Sequence, residues 1–391
     1  MRILINELKK IFNFKSIVVL LLINVVIYFL FIEFDISIFP NGRPQMDSYR
    51  ISVKMINEKG NNLKDNDINY LYNMKEDMIK EADNYLKNNE KAKELNIKDY
   101  ASFKEESSKQ DKVSEEFDKL YSDIMFKEGV NVFWELEVID NDIDHFKYKE
   151  NEFKFLQGKT YEKRINEIRK NNSKNSILPW FVFENYNNII INTSIAVIIS
   201  IIFMIAPIFT RDKNIALELL QYTSKTGREL YKDKIKAAIL ATNILITIQL
   251  GILFLLFITR PYTVNIFYNS NINSCFSGNL FWFDITFLQY IILTIILLYI
   301  IGIIVTLITC IISVNISSYI QLIVALTPIS VVLIYITQSL ILDRVGFIYR
   351  FKYKLAIFKY RVPILILLLA LTSIMLIVRR YKKEKNIDIL I

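Results

Sequence analysis

The sequence predicts an all-α, polytopic membrane protein: six transmembrane helices, with a large, mainly helical domain between the first and the second. Three observations predict it. Six apolar runs are long enough to cross a bilayer, which needs about 20 residues of helix. Between the first two lies a stretch, residues 35–185, in which apolar residues recur at helical spacing and no proline occurs between Pro44 and Pro179. Charge is also divided unevenly: residues 35–185 hold 30 of the 40 Asp and Glu and 25 of the 48 Lys and Arg, so the rest of the chain carries 23 basic against 10 acidic residues. A basic excess flanking apolar runs is what orientation in a membrane requires, so the basic character does not imply nucleic acid.

Residues 1–15 read as a cytoplasmic amphipathic helix lying in the headgroup layer, with Leu4, Leu8, Ile11 and Phe12 on one face and Arg2, Glu7, Lys9 and Lys10 elsewhere. A plain positively charged flank would look the same. Ser16 to Phe34 is the first span, interrupted only by Asn24 and Glu33. It is longer than the apolar core of a signal peptide and no small-residue cleavage site follows, so it is expected to stay as an anchor with its basic flank inside.

That orientation puts residues 35–185 outside. Their apolar positions (Ile51, Met55, Leu71, Met74 and Met78, then Val113, Phe117, Leu120 and Ile124) form helical stripes on an otherwise charged background, as in a hairpin of long helices. An aromatic-rich middle, including Phe126, Phe133, Trp134, Phe146, Tyr148, Phe153 and Phe155, is expected to supply its core.

Residues 186–391 hold the remaining spans: roughly Ile189–Phe209, Ile235–Ile258, Phe287–Ser313, Tyr319–Leu342 and a sixth that begins at Arg361 and ends near Val378. Pro207 and Pro328 lie inside spans, where neighbouring helices can satisfy the freed backbone groups. Arg379, Arg380, Lys382, Lys383 and Lys385 form a basic cytoplasmic stop, which puts both termini inside. One connection fits poorly. Residues 343–361 should lie outside, yet they hold Arg344, Arg350, Lys352, Lys354, Lys359 and Arg361. Either the fourth or fifth segment is re-entrant, or this basic stretch lies on the outer surface; the basic C-terminus favours the second.

No catalytic constellation emerges. The single His145 has no Cys or His partner at metal-binding spacing, and the two cysteines, Cys275 and Cys310, do not read as a disulfide framework. Gln157-Gly-Lys-Thr160 looks like the end of a phosphate loop, but Phe153 stands where such a loop needs glycine. No metal site, and no cofactor held by this chain, is therefore expected. Polar residues within spans (Asn24, Asn192, Thr193, Asn243, Gln249, Gln289 and Gln321) are candidates for a substrate path, with interhelical hydrogen bonding as the simpler role. Charged residues at span centres are nearly absent, which argues against a proton- or ion-coupled carrier.

Between the second and third spans, residues 210–234 form a charged elbow. Ile215, Leu219, Leu220 and Tyr222 share one face of a short helix, Gly227 closes it, and Leu230 begins the next. This elbow resembles the cytoplasmic loop of ABC-2 type transporter permeases. The matching features are the acidic Asp212 and Glu218, the pair Leu219-Leu220, the Thr223-Ser224 turn, Arg228, and Lys234 at the start of the third span; Asn214 stands where the family usually has glycine. The six-span layout is similar as well, outside the domain after the first span. The resemblance implies a transport subunit that is not itself an enzyme. Its ATP and Mg would sit on a partner, a cytoplasmic ABC ATPase docking on the elbow and on the N-terminal helix (Leu4, Glu7, Leu8, Ile11, Phe12). It further implies a second permease subunit, identical or similar, and export of an amphipathic peptide, antibiotic or lipid across a bacterial cytoplasmic membrane. Membrane lipid, and no nucleic acid, would be the remaining partner. A non-transporting membrane sensor or assembly factor, whose outer helical domain binds a ligand, is the alternative.

Overall fold

A computed structural model describes residues 2–109, 114–127, 129–156, 158–214, 227, 229–348 and 359–385. Among these, helix dominates and no strand longer than an isolated bridge forms. The chain divides into two compact units: residues 1–37, 184–263 and 289–391 in one, and residues 38–183 with 264–288 in the other.

The first unit begins with helix α1 (Arg2–Ile11) and holds all or most of each of six helices long and apolar enough to cross a membrane: Phe14–Ser37, Trp180–Lys213, Leu230–Thr259, Phe287–Asn315, Tyr319–Leu342 and Val362–Glu384, called spans 1 to 6. Asn13 caps span 1, its side chain accepting from the Ser16 amide at 3.0 Å. Most of the helices run past the apolar stretches read in the sequence, most of all at the start of span 2 and the end of span 6. Span 2 starts at Trp180, because aromatic and amide residues continue its helix, and the last helix runs on through the basic stop to Lys385.

Span 2 breaks where its sequence says it should. The α-helix ends at Ile205 and restarts at Pro207, and span 4 bridges the gap. The Ser313 hydroxyl donates to the Ala206 carbonyl (2.5 Å) and accepts from the Phe209 amide (3.3 Å). Spans 3 and 4 cross closely at Gly302, where a Cβ would meet Ile246 Cδ1 at 2.4 Å, Ile201 Cδ1 at 3.2 Å and Thr242 Cγ2 at 3.3 Å. The hydroxyls of Thr242 and Thr306 pair across this crossing, and Ala237, Ala238 and Ala241 line the same helix with no exposed surface.

The six helices alternate in direction, and side-chain bonds tie each end together. At one end the Asn187 side chain accepts from Tyr290 Oη (2.9 Å) and from the Arg344 amide (3.0 Å), while Tyr290 Oη accepts from the Val345 amide (3.1 Å). Glu184 pairs with Arg344 at 3.0 Å, so one of the troublesome basic residues of 343–361 is neutralised locally. Spans 4 and 5 are continuous helices of 29 and 24 residues, and the start of that connection lies at the end shared by Asp35, Asn185 and Arg260. Residues 349–358, which carry Arg350, Lys352 and Lys354, lie outside the described residues.

The second unit is built on α2 (Gly42–Lys59), α3 (Ile68–Asn88), α4 (Tyr100–Ser107), α5 (Glu115–Ser122), α6 (Asn131–Lys147) and α7 (Lys159–Lys170). The expected stripes point inward: Ile51, Met55, Leu71, Met74, Met78, Phe117, Leu120 and Ile124 are all buried, and Val113 lies outside the described residues. The arrangement is not a simple hairpin, because α6 packs on both α2 and α3. Only part of the aromatic-rich middle is core. Phe133, Phe146 and Phe153 are buried, and Phe133 packs on Tyr85, Tyr100 and Phe103; Phe126 and Tyr148 face outward.

Residues 264–288, which the sequence places between the third and fourth spans, belong to this unit. They are held by polar bonds: Asn61 Nδ2 to the Ile266 carbonyl (2.8 Å), Arg164 Nε to the Phe281 carbonyl (2.9 Å), Ser274 Oγ to the Ser176 carbonyl (2.5 Å), and Asp284 to Asn171, Ser173 and Asn271. Cys275 is a free, buried thiol whose pKa burial pushes up to about 12.

Candidate functional site at the charged end of the bundle

The elbow between spans 2 and 3 is anchored by an ion pair that its own sequence supplies. Asp212 ends span 2 and Lys234 opens span 3; their charged atoms lie 2.6 Å apart with 4% and 3% of the side chains exposed. Lys234 Nζ also donates to the Ile208 carbonyl (3.1 Å) and sits 5.0 Å from the Phe209 ring centre. Burying two charges is costly, and it is tolerated here because each has several partners.

Helix α1 joins the same cluster. Lys10 Nζ lies 2.6 Å from Glu7 and 3.6 Å from Asp212, and Arg211 donates to the Lys10 carbonyl at 2.8 Å. This corrects the expected facing of α1. Glu7 lies on its buried side, 4% exposed, beside Ile11, with Lys10 of the same helix as its cation; Leu4, Leu8 and Phe12 are only half-buried. The N-terminal helix is therefore docked on spans 2 and 3 through its charged side as well as its apolar one. Lys213 donates to the Val314 carbonyl and Thr210 to that of Ile316 (3.2 Å), tying the elbow to the turn between spans 4 and 5. From the C-terminal helix, Tyr381 Oη donates to Glu229 at 2.8 Å and its ring stacks on buried Tyr231.

Of the elbow residues named from sequence, the structure brings Asp212 and Lys234 together. Glu218, Leu219, Leu220, Tyr222, Thr223, Ser224 and Arg228 lie outside the described residues.

The in-span polar residues separate into two groups. Asn24 and Gln249 meet, joined by Ser200 of span 2, which the sequence reading passed over. Gln249 Nε2 donates to Asn24 Oδ1 (2.7 Å) and Ser200 Oγ (2.8 Å), and Asn24 Nδ2 donates to Ser200 Oγ (3.0 Å). Asn24 and Gln249 of this triad line an apolar groove of about 430 Å³ between spans 1, 2 and 3. The others are not part of it. Asn192 donates to the Phe31 carbonyl (2.8 Å), Asn243 to its own helix at Ile239 (3.0 Å), and buried Thr193 to Ile189 (2.7 Å), although Thr193 also borders the groove. Gln289 and Gln321 are exposed. The residues named for a path thus do not form one continuous line.

In the second unit His145 is exposed, and no group of three or more His, Cys, Asp or Glu placed to hold a metal occurs among the described residues. Gly158 has a φ of +109° and opens α7, and Gln157 lies outside the described residues.

Compared with family models, with curated proteins and with solved structures, the chain finds no match in any of the three.

Proposed function

We propose that this chain is the membrane-spanning permease subunit of an ABC-2 type exporter. It would work with a separate cytoplasmic ATPase, which holds ATP and Mg, and with a second permease subunit, to move an amphipathic peptide, antibiotic or lipid across a bacterial membrane. The observation that carries this reading is the joint anchoring of α1 and of both ends of the elbow on Asp212 and Lys234. A force applied to the elbow by a closing ATPase would not be lost in a loose loop. It would pass through the buried ion pair to spans 2 and 3, through Thr210 and Lys213 to the turn between spans 4 and 5, and through Glu229 and Tyr381 to span 6. Nucleotide state would then bias two packings of one bundle, which is how a ligand-driven switch operates. Both termini would be cytoplasmic and the second unit outside, where it would gate release or bind substrate.

A non-transporting sensor or assembly factor is the second reading. The observation in its favour is a concavity of about 560 Å³ on the second unit, lined by residues such as Glu150, Phe153, Glu162 and Arg169.

The test is a pull-down of the tagged chain in mild detergent from its host, with ATPase assays on the eluate, beside a Leu219→Asp/Leu220→Asp variant. A co-purifying ATPase that the variant loses, with the membrane protein still folded, supports the permease. Absence of an ATPase from the wild-type eluate would favour the sensor.

A further inference from the structure

We propose that the groove between spans 1, 2 and 3 is a binding site for one anionic phospholipid, its headgroup at the α1 end and an acyl chain laid along span 1. The inference does not depend on the transport reading. The groove is walled on one side by span 1 from Phe12 to Ile32 and on the other by span 3 from Leu245 to Leu256. At 1.5 Å per residue the span 1 wall is on the order of 30 Å long, the thickness of a bilayer's hydrocarbon core. Leu20, Leu245 and Leu253 are buried in its floor, whereas Leu21, Ile248 and Ile252 stand exposed along its lips. A slender, flexible apolar chain fits such a slot, and the Asn24–Ser200–Gln249 triad lies near the middle of its length. Phe12 to Asn24 spans roughly 18 Å, about the depth of one leaflet's hydrocarbon.

Charge sets the orientation and the headgroup class. At the α1 end Arg2, Lys9 and Lys15 are exposed, and the one acidic residue of α1, Glu7, is buried and paired with Lys10. At the opposite end, beside Ile32, stand Glu33 and Asp35, with the nearby cation Arg260 buried to 6% exposure and bonded to the Asp35 and Asn185 oxygens. An anionic headgroup is attracted to the first end and repelled from the second. A basic residue near an anionic lipid surface contributes about 1 kcal/mol, so removing two is expected to cost on the order of tenfold or more in selectivity.

The test is native mass spectrometry of the full chain in detergent, titrated with phosphatidylglycerol or with phosphatidylcholine of identical chains. The expected result is one tightly held lipid, with about tenfold preference for phosphatidylglycerol. Lys9→Gln/Lys15→Gln should bring that preference close to one. Ile248→Trp, which fills the groove from an exposed position, should abolish retention of both lipids, and Ile292→Trp, on an exposed face of span 4, should leave it unchanged. Equal retention of the two lipids by the wild-type chain would overturn the proposal. So would undiminished retention in a monodisperse Ile248→Trp, which would mark the lipid as a non-specific coat. A change of oligomeric state in Ile248→Trp with lipid retention intact would instead make the groove an interface between copies, and the proposal would fall.

Discussion

Replacing Asp212 by Asn removes one charge of the buried pair and leaves Lys234 without its counter-ion in a site with 3% of its side chain exposed. Breaking such a pair from one side costs about 3–5 kcal/mol, because the remaining charge is buried without its counter-ion. The contacts to the Ile208 carbonyl at 3.1 Å and the face of Phe209 at 5.0 Å survive in the variant, and the new amide oxygen can still accept from Lys234, so the cost falls toward the lower part of that range. The expected destabilisation is therefore about 2–4 kcal/mol. Lys10 would also lose its 3.6 Å contact, a minor effect because that side chain is 40% exposed and keeps Glu7. The double variant Asp212→Asn/Lys234→Met removes the stranded charge and should recover most of the loss, so the cycle should show a coupling of about 2 kcal/mol or more. The buried thiols Cys275 and Cys310 supply the assay, since a thiol-reactive fluorophore reports unfolding as they become exposed on heating in detergent. Asp212→Asn melting with the wild type, or a double variant no better than either single one, would refute the anchoring role given to this pair.

Gly302→Ala should cost about 1–2 kcal/mol by the same melt, toward the low end for overpacking because the nearest atom, Ile246 Cδ1, ends a mobile side chain; Ile246→Val in the same chain should restore part of it. Asp142 in α6 is 8% exposed, and burial raises its pKa to about 7. The titratable groups near it are the Cys275 thiol and, around that thiol, Lys174, Lys149 and Glu152. With the folded pKa above the unfolded one, the native state holds the proton more tightly. Stability is then greatest near pH 4 and falls as pH rises through 7, by a limiting amount on the order of 4 kcal/mol. Asp142→Asn should match the wild type near pH 4 and exceed it at pH 8, as read by unfolding curves across pH; a parallel pH dependence in the two proteins would contradict this.

Much of the membrane unit can be read from the sequence, because hydrophobic runs of 20 or more residues have few other fates. The stripes of the second unit were legible for a similar reason: Leu71, Met74 and Met78 fall at helical period and are buried. What escaped reading depends on long-range partners. Glu7 looked solvated because the span 2 residues that cover it, Pro207 and Ile208 among them, stand about 200 residues away in sequence. Ser200 looked like an ordinary small residue of an apolar span until Asn24 and Gln249 were brought to it. Asp212 and Lys234 were both singled out, but as parts of a loop pattern and not as a pair. Residues 264–288 carried a signal that went unused, a density of Asn, Ser and aromatic residues higher than a surface loop needs. Those side chains satisfy buried backbone groups, which is the task such residues perform inside irregular structure.

The contribution of 264–288 to the second unit has a consequence for how this protein is made. About 80 residues of chain separate position 183 from position 264. At a synthesis rate of roughly 5–20 residues per second, the first segment emerges several seconds before the second. During that interval the Asn61 side chain, Arg164 Nε and the Ser176 carbonyl have none of the partners that 264–288 brings. The second unit is thus completed only after spans 2 and 3 have been made. A fragment cut at 35–185 would present those groups, and the apolar surface around them, as a permanent version of a state the full chain passes through briefly.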